Sequence, residues 1–239
     1  MRTYPWLVRA SRAPVLSGLI ALVLLLAACG GGGSSSNTPT AQQLIASAQA
    51  AIQKVTAYHF NLKVDNPGTG ATLVIQTADG DIVVPDKLQA NASALVIGSA
   101  IQVKFVSVDD KEYITDPITG KWQLTTGLID PRTLSDSKTG VASILGNIQK
   151  PGTPSDSNVD GTSCWSINGK LDAKYLGSII GDAAQAGSIV DVTTCIGKAD
   201  NRPYLIRITG IATQGDTSKT VRTFKLSKFG ETVTITAPI

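Results

Sequence analysis

The chain has one histidine in 239 residues, three cysteines, and aromatic side chains at only 5% of its positions. Each shortage removes a class of chemistry. A Ser-His-Asp triad or a Cys–His pair needs a positioned imidazole. The lone His59 follows Tyr58 where the first predicted helix ends, and it reads as a surface or helix-end residue. No G-x-S-x-G elbow is present. No phosphate loop or dinucleotide fingerprint occurs either, since Gly68-Thr69-Gly70 lacks the third glycine and reads as a turn. Metal-ligand spacing is missing. Asp109-Asp110 are adjacent carboxylates in a predicted hairpin turn, where solvation is their ordinary fate. The expectation is therefore no catalytic residue, no cofactor and no metal.

Charge of one sign is also missing. Arg2, Arg9 and Arg12 fall in the first 28 residues, which hold no acid; the rest keeps 18 basic residues of 21 against 18 acidic ones. No basic patch points to nucleic acid or an anionic surface.

The long apolar run is short by membrane standards. Val15 to Ala28 spans about 14 residues, below the roughly 20 of a spanning helix, and with its arginines it reads as an export signal. It ends in Leu26-Ala27-Ala28-Cys29, the form of a bacterial lipobox, followed by a Gly/Ser run to Ser36. Prolipoprotein signals of this kind are cleaved before the cysteine, whose thiol takes a diacylglyceryl group. The alternative is a plain secretory signal with an incidental cysteine. The expected organisation is a signal over 1–28, a lipidated Cys29 with a flexible tether over 29–39, and a domain over 40–239. About 200 residues suffice for one domain with a substantial core. Cys164 and Cys195 remain; outside the cell an even pair is most simply a disulfide, with two buried free thiols as the alternative.

Thr40-Ala-Gln-Gln43 reads as a capping box, and Leu44, Ala48, Ala51, Ile52 and Val55 recur at helical spacing to about Ala57. Period-two alternation follows: Leu73 and Ile75; Leu88, Ala90, Ala92 and Ala94; Ile101, Val103 and Phe105; then strands at 112–115 and 121–125. Asp130-Pro131 opens a helical segment that Val141, Ile144, Leu145 and Ile148 continue. A polar loop is expected over 151–160, a strand at 164–170, a helix capped by Asp172, and strands near 190–197, 203–213, 220–228 and 231–236. Trp122 and Trp165 fall in strands and most simply pack, or else line a pocket. The sum is α+β: a large antiparallel sheet with about three helices on one side. The inward positions of the 87–96 strand are mostly alanine, and small residues on a curved sheet leave room for a guest. Alternation alone nevertheless favours a core filled by long helix side chains.

Several segments together resemble the LppX/LprAFG family of envelope lipoproteins, known chiefly from mycobacteria. They are Leu226-Ser-Lys-Phe-Gly-Glu-Thr-Val-Thr-Ile-Thr-Ala-Pro238, Asp130-Pro131 with Leu134, Thr139 to Leu145, Asp160-Gly161, Ile167 to Lys170, and Ile101 to Trp122. The resemblance covers about residues 41–238 and rests on order and spacing. It implies a curved antiparallel half-barrel sheet wrapped on helices, with a hydrophobic cavity between them for acyl chains of lipids or lipoglycans. It thereby reverses the expectation of a filled core, and it implies transport of envelope lipids between membrane layers. The family pattern does not call for Cys164 and Cys195.

The expected wall of that cavity is Leu73, Ile75, Ala92, Ala94, Ile101, Val103 and Phe105, with Ile144, Leu145 and Ile148 on the helical side. The expected partners are an acylated lipid or glycolipid, the outer face of the cell membrane through Cys29, and a membrane lipid exporter. The competing expectation is a structural or envelope-sensing lipoprotein with a filled core.

Overall fold

The computed structural model describes residues 38–68 and 73–239. The signal over 1–28, Cys29 and the tether to residue 37 lie outside the described residues, as do 69–72 and the side chains of Leu73 and Asp182.

The chain opens with α1 (Ala41–Ile52), started by the capping box that the sequence predicts: the Gln43 amide donates to Thr40 Oγ1 at 3.2 Å, and Gln43 Oε1 accepts from the Thr40 amide at 2.9 Å. Its buried stripe is Ala41, Leu44, Ile45, Ala48 and Ile52. The helix stops at Ile52, short of Ala57. Val55 bonds back to the Ile52 carbonyl and tightens the last turn, and Ala57–Asp65 becomes a strand, β1. Tyr58, Phe60, Leu62 and Val64 alternate there with polar residues, so His59 sits in a strand rather than at a helix end.

The first meander is β1, β2 (Leu73–Val83), β3 (Lys87–Val96), β4 (Ser99–Val108), β5 (Lys111–Thr115) and β6 (Trp122–Thr125). The chain then forms α2 (Pro131–Ser135) and α3 (Val141–Gly146) before a second meander. This comprises β7 (Ser155–Val159), β8 (Thr162–Asp172), β9 (Ile189–Gly197), β10 (Pro203–Thr209) and β11 (Val221–Ser227), with the one-turn α4 (Gly177–Ile180) between two 3-10 turns, Ala173–Leu176 and Gly181–Ala183, separating β8 from β9. All pairings are antiparallel, in the order β6-β5-β4-β3-β2-β1-β11-β10-β9-β8-β7. The two meanders thus join at β1 and β11, and β6 and β7 form opposite edges of one open 11-stranded sheet. The helices pack on one face of it.

Three further expectations are corrected. The helical segment from Asp130 is two helices, because Asp136 closes the first and Gly140 must pack against it; a Cβ on Gly140 would meet the Asp136 carbonyl at 2.8 Å. The polar 151–160 loop contains β7, an almost fully exposed edge strand held by backbone pairing to β8 with no apolar alternation to announce it. Residues 231–236 form no strand. Val233 and Ile235 lie instead against Val106, Val108, Tyr113, Val83 and Trp122 on the face away from the helices, held by side-chain packing alone.

Cys164 and Cys195 are joined, with Cα atoms 5.6 Å apart, and both are buried. Closing 31 residues stabilises the fold by about 3–4 kcal/mol on the chain-entropy account.

Candidate apolar furrow on the helix-facing sheet

Directly opposed residues of antiparallel strands share a face, so the register defines rows across the helix-facing side. One row is Tyr58, Ile82, Leu88 and Ser107; the next is Phe60, Gly80, Ala90 and Phe105; the next is Leu62, Ala78, Ala92 and Val103. Beyond them Ile75 and Ile101 flank Ala94. From the second row onward the β2 and β3 positions are Gly or Ala until Ile75, while β1 and β4 present Phe60, Leu62, Phe105, Val103 and Ile101. The result is a furrow floored by Ala78, Gly80, Ala90, Ala92 and Ala94, with larger side chains as walls three strand spacings apart, about 14 Å. Gly80 cannot be enlarged, since a Cβ there would lie 2.9 Å from the Ala90 Cβ.

The helices cover only part of the furrow. The contiguous core reaches Ala78, Ala92 and Phe105, while Ala94 is buried outside it. Ile101 and Val103 are half-buried, and Ile75 is 42% exposed. Leu73 opens β2 opposite Val96. On the helical side Ile144 and Leu145 are fully buried and Ile148 nearly so, all in the core; the Gln49 amide of α1 donates to the Ala142 carbonyl at 3.0 Å and ties α1 to α3. Of the expected wall, then, Phe105, Ile144, Leu145 and Ile148 are packed under the helices and Ala92 lies at their margin. Ala94, Ile101, Val103 and Ile75 line the stretch beyond.

Where the end of α1, α2 and α3 meet the β2–β3 turn, the described residues leave a pocket of about 20 Å³, lined by Val55, Tyr58, Val84, Leu134 and Val141. That is room for one water. Tyr58 is 2% exposed and its hydroxyl has no hydrogen-bond partner; burial raises its pKa. Beside this pocket the side chains of α1 and α3, Leu44, Ile45, Ile144 and Leu145 among them, are buried in the contiguous core. On the other flank of α2 lies a polar pocket of about 280 Å³, whose lining includes Asp86, Asp110, Glu112, Asp130 and Arg132. Arg132 bridges Asp130 at 2.9 Å and Asp110 at 3.0 Å, and hydrogen bonding from Arg132 lowers the Asp130 pKa.

At the far end of the sheet the row Val64, Arg222, Ile208 closes the apolar face with an ion pair. Both Arg222 guanidinium nitrogens reach the Asp216 carboxylate at 2.7 Å, and the Ala212 and Thr213 amides donate to it as well. Desolvation pushes the Asp216 pKa up, but these hydrogen bonds and the Arg222 charge outweigh it and leave it lowered.

The remaining candidates fall elsewhere. His59 lies on the opposite face, its Nδ1 at 2.8 Å from Asp81 and its Nε2 at 3.3 Å from Asp79. Trp122 packs in the small cluster with Ile235, and Trp165 packs against the core with Lys198 Nζ 4.0 Å from its ring centroid. Among the described residues no group of three or more His, Cys, Asp or Glu side chains is placed to hold a metal, and no helix is long and apolar enough to cross a membrane. Sequence reasoning missed the β1 wall, Phe60 and Leu62, although Tyr58 to Val64 alternates as plainly as any strand in the chain.

An open sheet of this order over short helices defines a class, and solved structures share it. LprF from Mycobacterium bovis superposes with a TM-score of 0.67 at 21% identity, over 83% of this chain and 96% of that one. LppX from Mycobacterium tuberculosis gives 0.59 at 20% identity, over 82% and 98%. The profile of the LppX_LprAFG lipoprotein family matches residues 40–235, and the chain belongs to that family. The lipoprotein LprA of M. tuberculosis is 27% identical over 205 residues, 83% of this chain and 82% of that protein. The lipoarabinomannan carrier protein LprG of Mycobacterium leprae is 25% identical over 146 residues, 59% of this chain and 60% of its own length.

Proposed function

We propose that this protein is a lipid-anchored envelope protein, held to the outer face of the cell membrane by a lipid on Cys29. It binds the acyl chains of lipids or lipoglycans between sheet and helices and carries them between envelope layers, receiving or delivering them at a membrane lipid exporter. The observation that carries the reading is the furrow of Ala78, Gly80, Ala90, Ala92 and Ala94 between apolar walls, which runs past the contiguous core to the half-exposed Ile75 and Ile101. A relative named a lipoarabinomannan carrier protein supports the ligand class. The energetics need no catalytic group. At about 0.8 kcal/mol per buried methylene, ten methylenes supply about 8 kcal/mol, a micromolar affinity. A chain entering at Ile75 and Ile101 lies first on Ala94 and Ala92, and reaches Ala90 and Gly80 by lifting α2 and α3 from the sheet.

One observation favours a second reading, a structural or sensing lipoprotein: the pocket where α1, α2 and α3 meet the β2–β3 turn holds only about 20 Å³, and Ile144 and Leu145 beside it are fully buried. Native mass spectrometry of the protein from its own envelope separates the two. A bound mass of an acylated lipid, lost in Ala94→Trp, is the expected result. Protein without lipid, taking up no fluorescent lipid, leaves the second reading. Cys29→Ala should release the protein from membranes; retention after a high-salt wash would overturn the anchor.

A further inference from the structure

One end of the sheet carries an apolar rim. Strand direction places the β1–β2, β3–β4, β5–β6, β8–β9 and β10–β11 connections at the same end. Of the eight large hydrophobic side chains exposed among the described residues, five lie there: Ile75, Ile97, Ile118, Ile189 and Ile211, at 42% to 92% exposure. Each belongs to a different strand or turn, so no single amphipathic stretch of sequence explains them.

Ile97 stands apart for a second reason. Eight non-glycine residues among those described have φ near +50°, and seven are Asn, Asp or Lys. The eighth is Ile97, at φ 49° beside Gly98 at φ 79° in the β3–β4 turn. Positive φ at both central positions of a two-residue hairpin favours Asn or Asp first, and a β-branched side chain there is strained. Ile97 is also 81% exposed, so burial within the protein does not compensate the strain. A residue that breaks the local rule without an internal contact points to a contact outside the molecule.

We propose that this end of the sheet docks on a lipid bilayer, with Ile97 as the leading side chain, and that acyl chains pass from the bilayer to the furrow across it. The inference rests in part on the reading of the furrow and of the Cys29 anchor. Three features select a bilayer as the occupant. The rim adjoins the uncovered stretch, since Ile75 belongs to both and Ala94 lies three residues from Ile97. On the lipobox reading only residues 30–37 separate the anchor from Thr38, a reach of about 30 Å at full extension, so the start of the domain stays within that distance of the membrane surface. The mature chain is formally neutral, so insertion of apolar side chains rather than attraction to anionic headgroups is the available force.

The test uses the lipidated protein in vesicles of phosphatidylethanolamine and phosphatidylglycerol. With Cys164 and Cys195 paired and Cys29 acylated, Ile97→Cys offers one thiol for an environment-sensitive fluorophore. Leu128→Cys, exposed at the opposite end, is the control. The probe at 97 should shift to the blue and brighten severalfold in vesicles, little changed by salt, while the probe at 128 stays water-like. Equal response at both positions, no response at 97, or a shift at 97 that follows protein concentration without vesicles (a second copy on the rim) would each overturn the proposal. A second variant reads the transfer step. Ile97→Asn relieves the strain and should raise the melting temperature while slowing lipid uptake from vesicles about tenfold, the cost of losing one inserted aliphatic side chain. Its binding of detergent-dispersed lipid should be unchanged. Uptake from vesicles at the parent rate would overturn the docking role. If the furrow reading itself fails, no variant takes up lipid from any source, and the probe at 97 still reports whether the rim meets the bilayer.

Discussion

The two meanders share one sheet and one set of helices, yet they fill their helix-facing sides differently. On β8, β9 and β10 the inward positions include Ile167, Leu171, Val190, Val192, Ile196, Ile206 and Ile208, each at 1% exposure or less, and a buried disulfide ties β8 to β9. On β2 and β3 they include Ala78, Gly80, Ala90, Ala92 and Ala94, with partly covered neighbours. Large branched side chains fill the second meander, whereas on the first the floor is made of small residues, of which Ala78, Gly80 and Ala94 are buried and Ala90 and Ala92 half-buried. One sheet can differ in this way from one half to the other because packing energy is local to the side chains in contact.

The comparison can be broken by mutation. The largest effect is expected in the filled half. Removing the disulfide with Cys164→Ser and Cys195→Ser together should cost about 3–4 kcal/mol, read as a lower urea midpoint. Ile206→Ala should cost about 2–5 kcal/mol, because a fully buried methyl-rich side chain leaves a cavity that neighbouring strands cannot close. An intermediate effect comes from the same insertion at two places. Val192→Trp overpacks a full core and should cost about 1–3 kcal/mol or more, whereas Ala94→Trp, buried but outside the contiguous core, should cost under about 1 kcal/mol and abolish lipid uptake. Equal costs at the two sites would show that the halves do not differ.

The smallest effect concerns pH. Asp216 has a lowered folded-state pKa, so its contribution is fully present above the unfolded value near 4 and is lost as pH falls through the folded value. Stability should decline progressively below about pH 5, and Arg222→Met should flatten that part of the acid limb in a pH series of thermal melts while lowering stability at neutral pH.

Much of this was legible in the chain. The capping box at Thr40, the inward alternation of Leu88, Ala90, Ala92 and Ala94, and the pairing of Cys164 with Cys195 follow from short-range pattern and residue count. The strand at Ala57–Asp65 was legible too, but a helical reading carried to Ala57 hid it. The edge strand β7 was not, because its residues are polar on both faces and only β8 gives it a partner. The strap at Val233 and Ile235 alternates like a strand; whether such a segment pairs or merely packs depends on where the tertiary fold leaves it.

What the sequence determined by itself is therefore the periodic and the local: which residues point together, where helices begin, which turns need Asn, Asp or Gly, and that an apolar run ends at Cys29. Those properties depend on neighbours a few residues away. The tertiary structure alone decided that β11 returns to β1, so that Phe60 and Leu62 face Phe105 and Val103 across the small residues of β2 and β3. It also decided that Ala94 is buried outside the contiguous core and that isoleucines from separate turns gather at one end. These relations join residues tens to hundreds of positions apart, where the free energy that selects one arrangement is spread over the whole packed interior rather than written in any window of the chain.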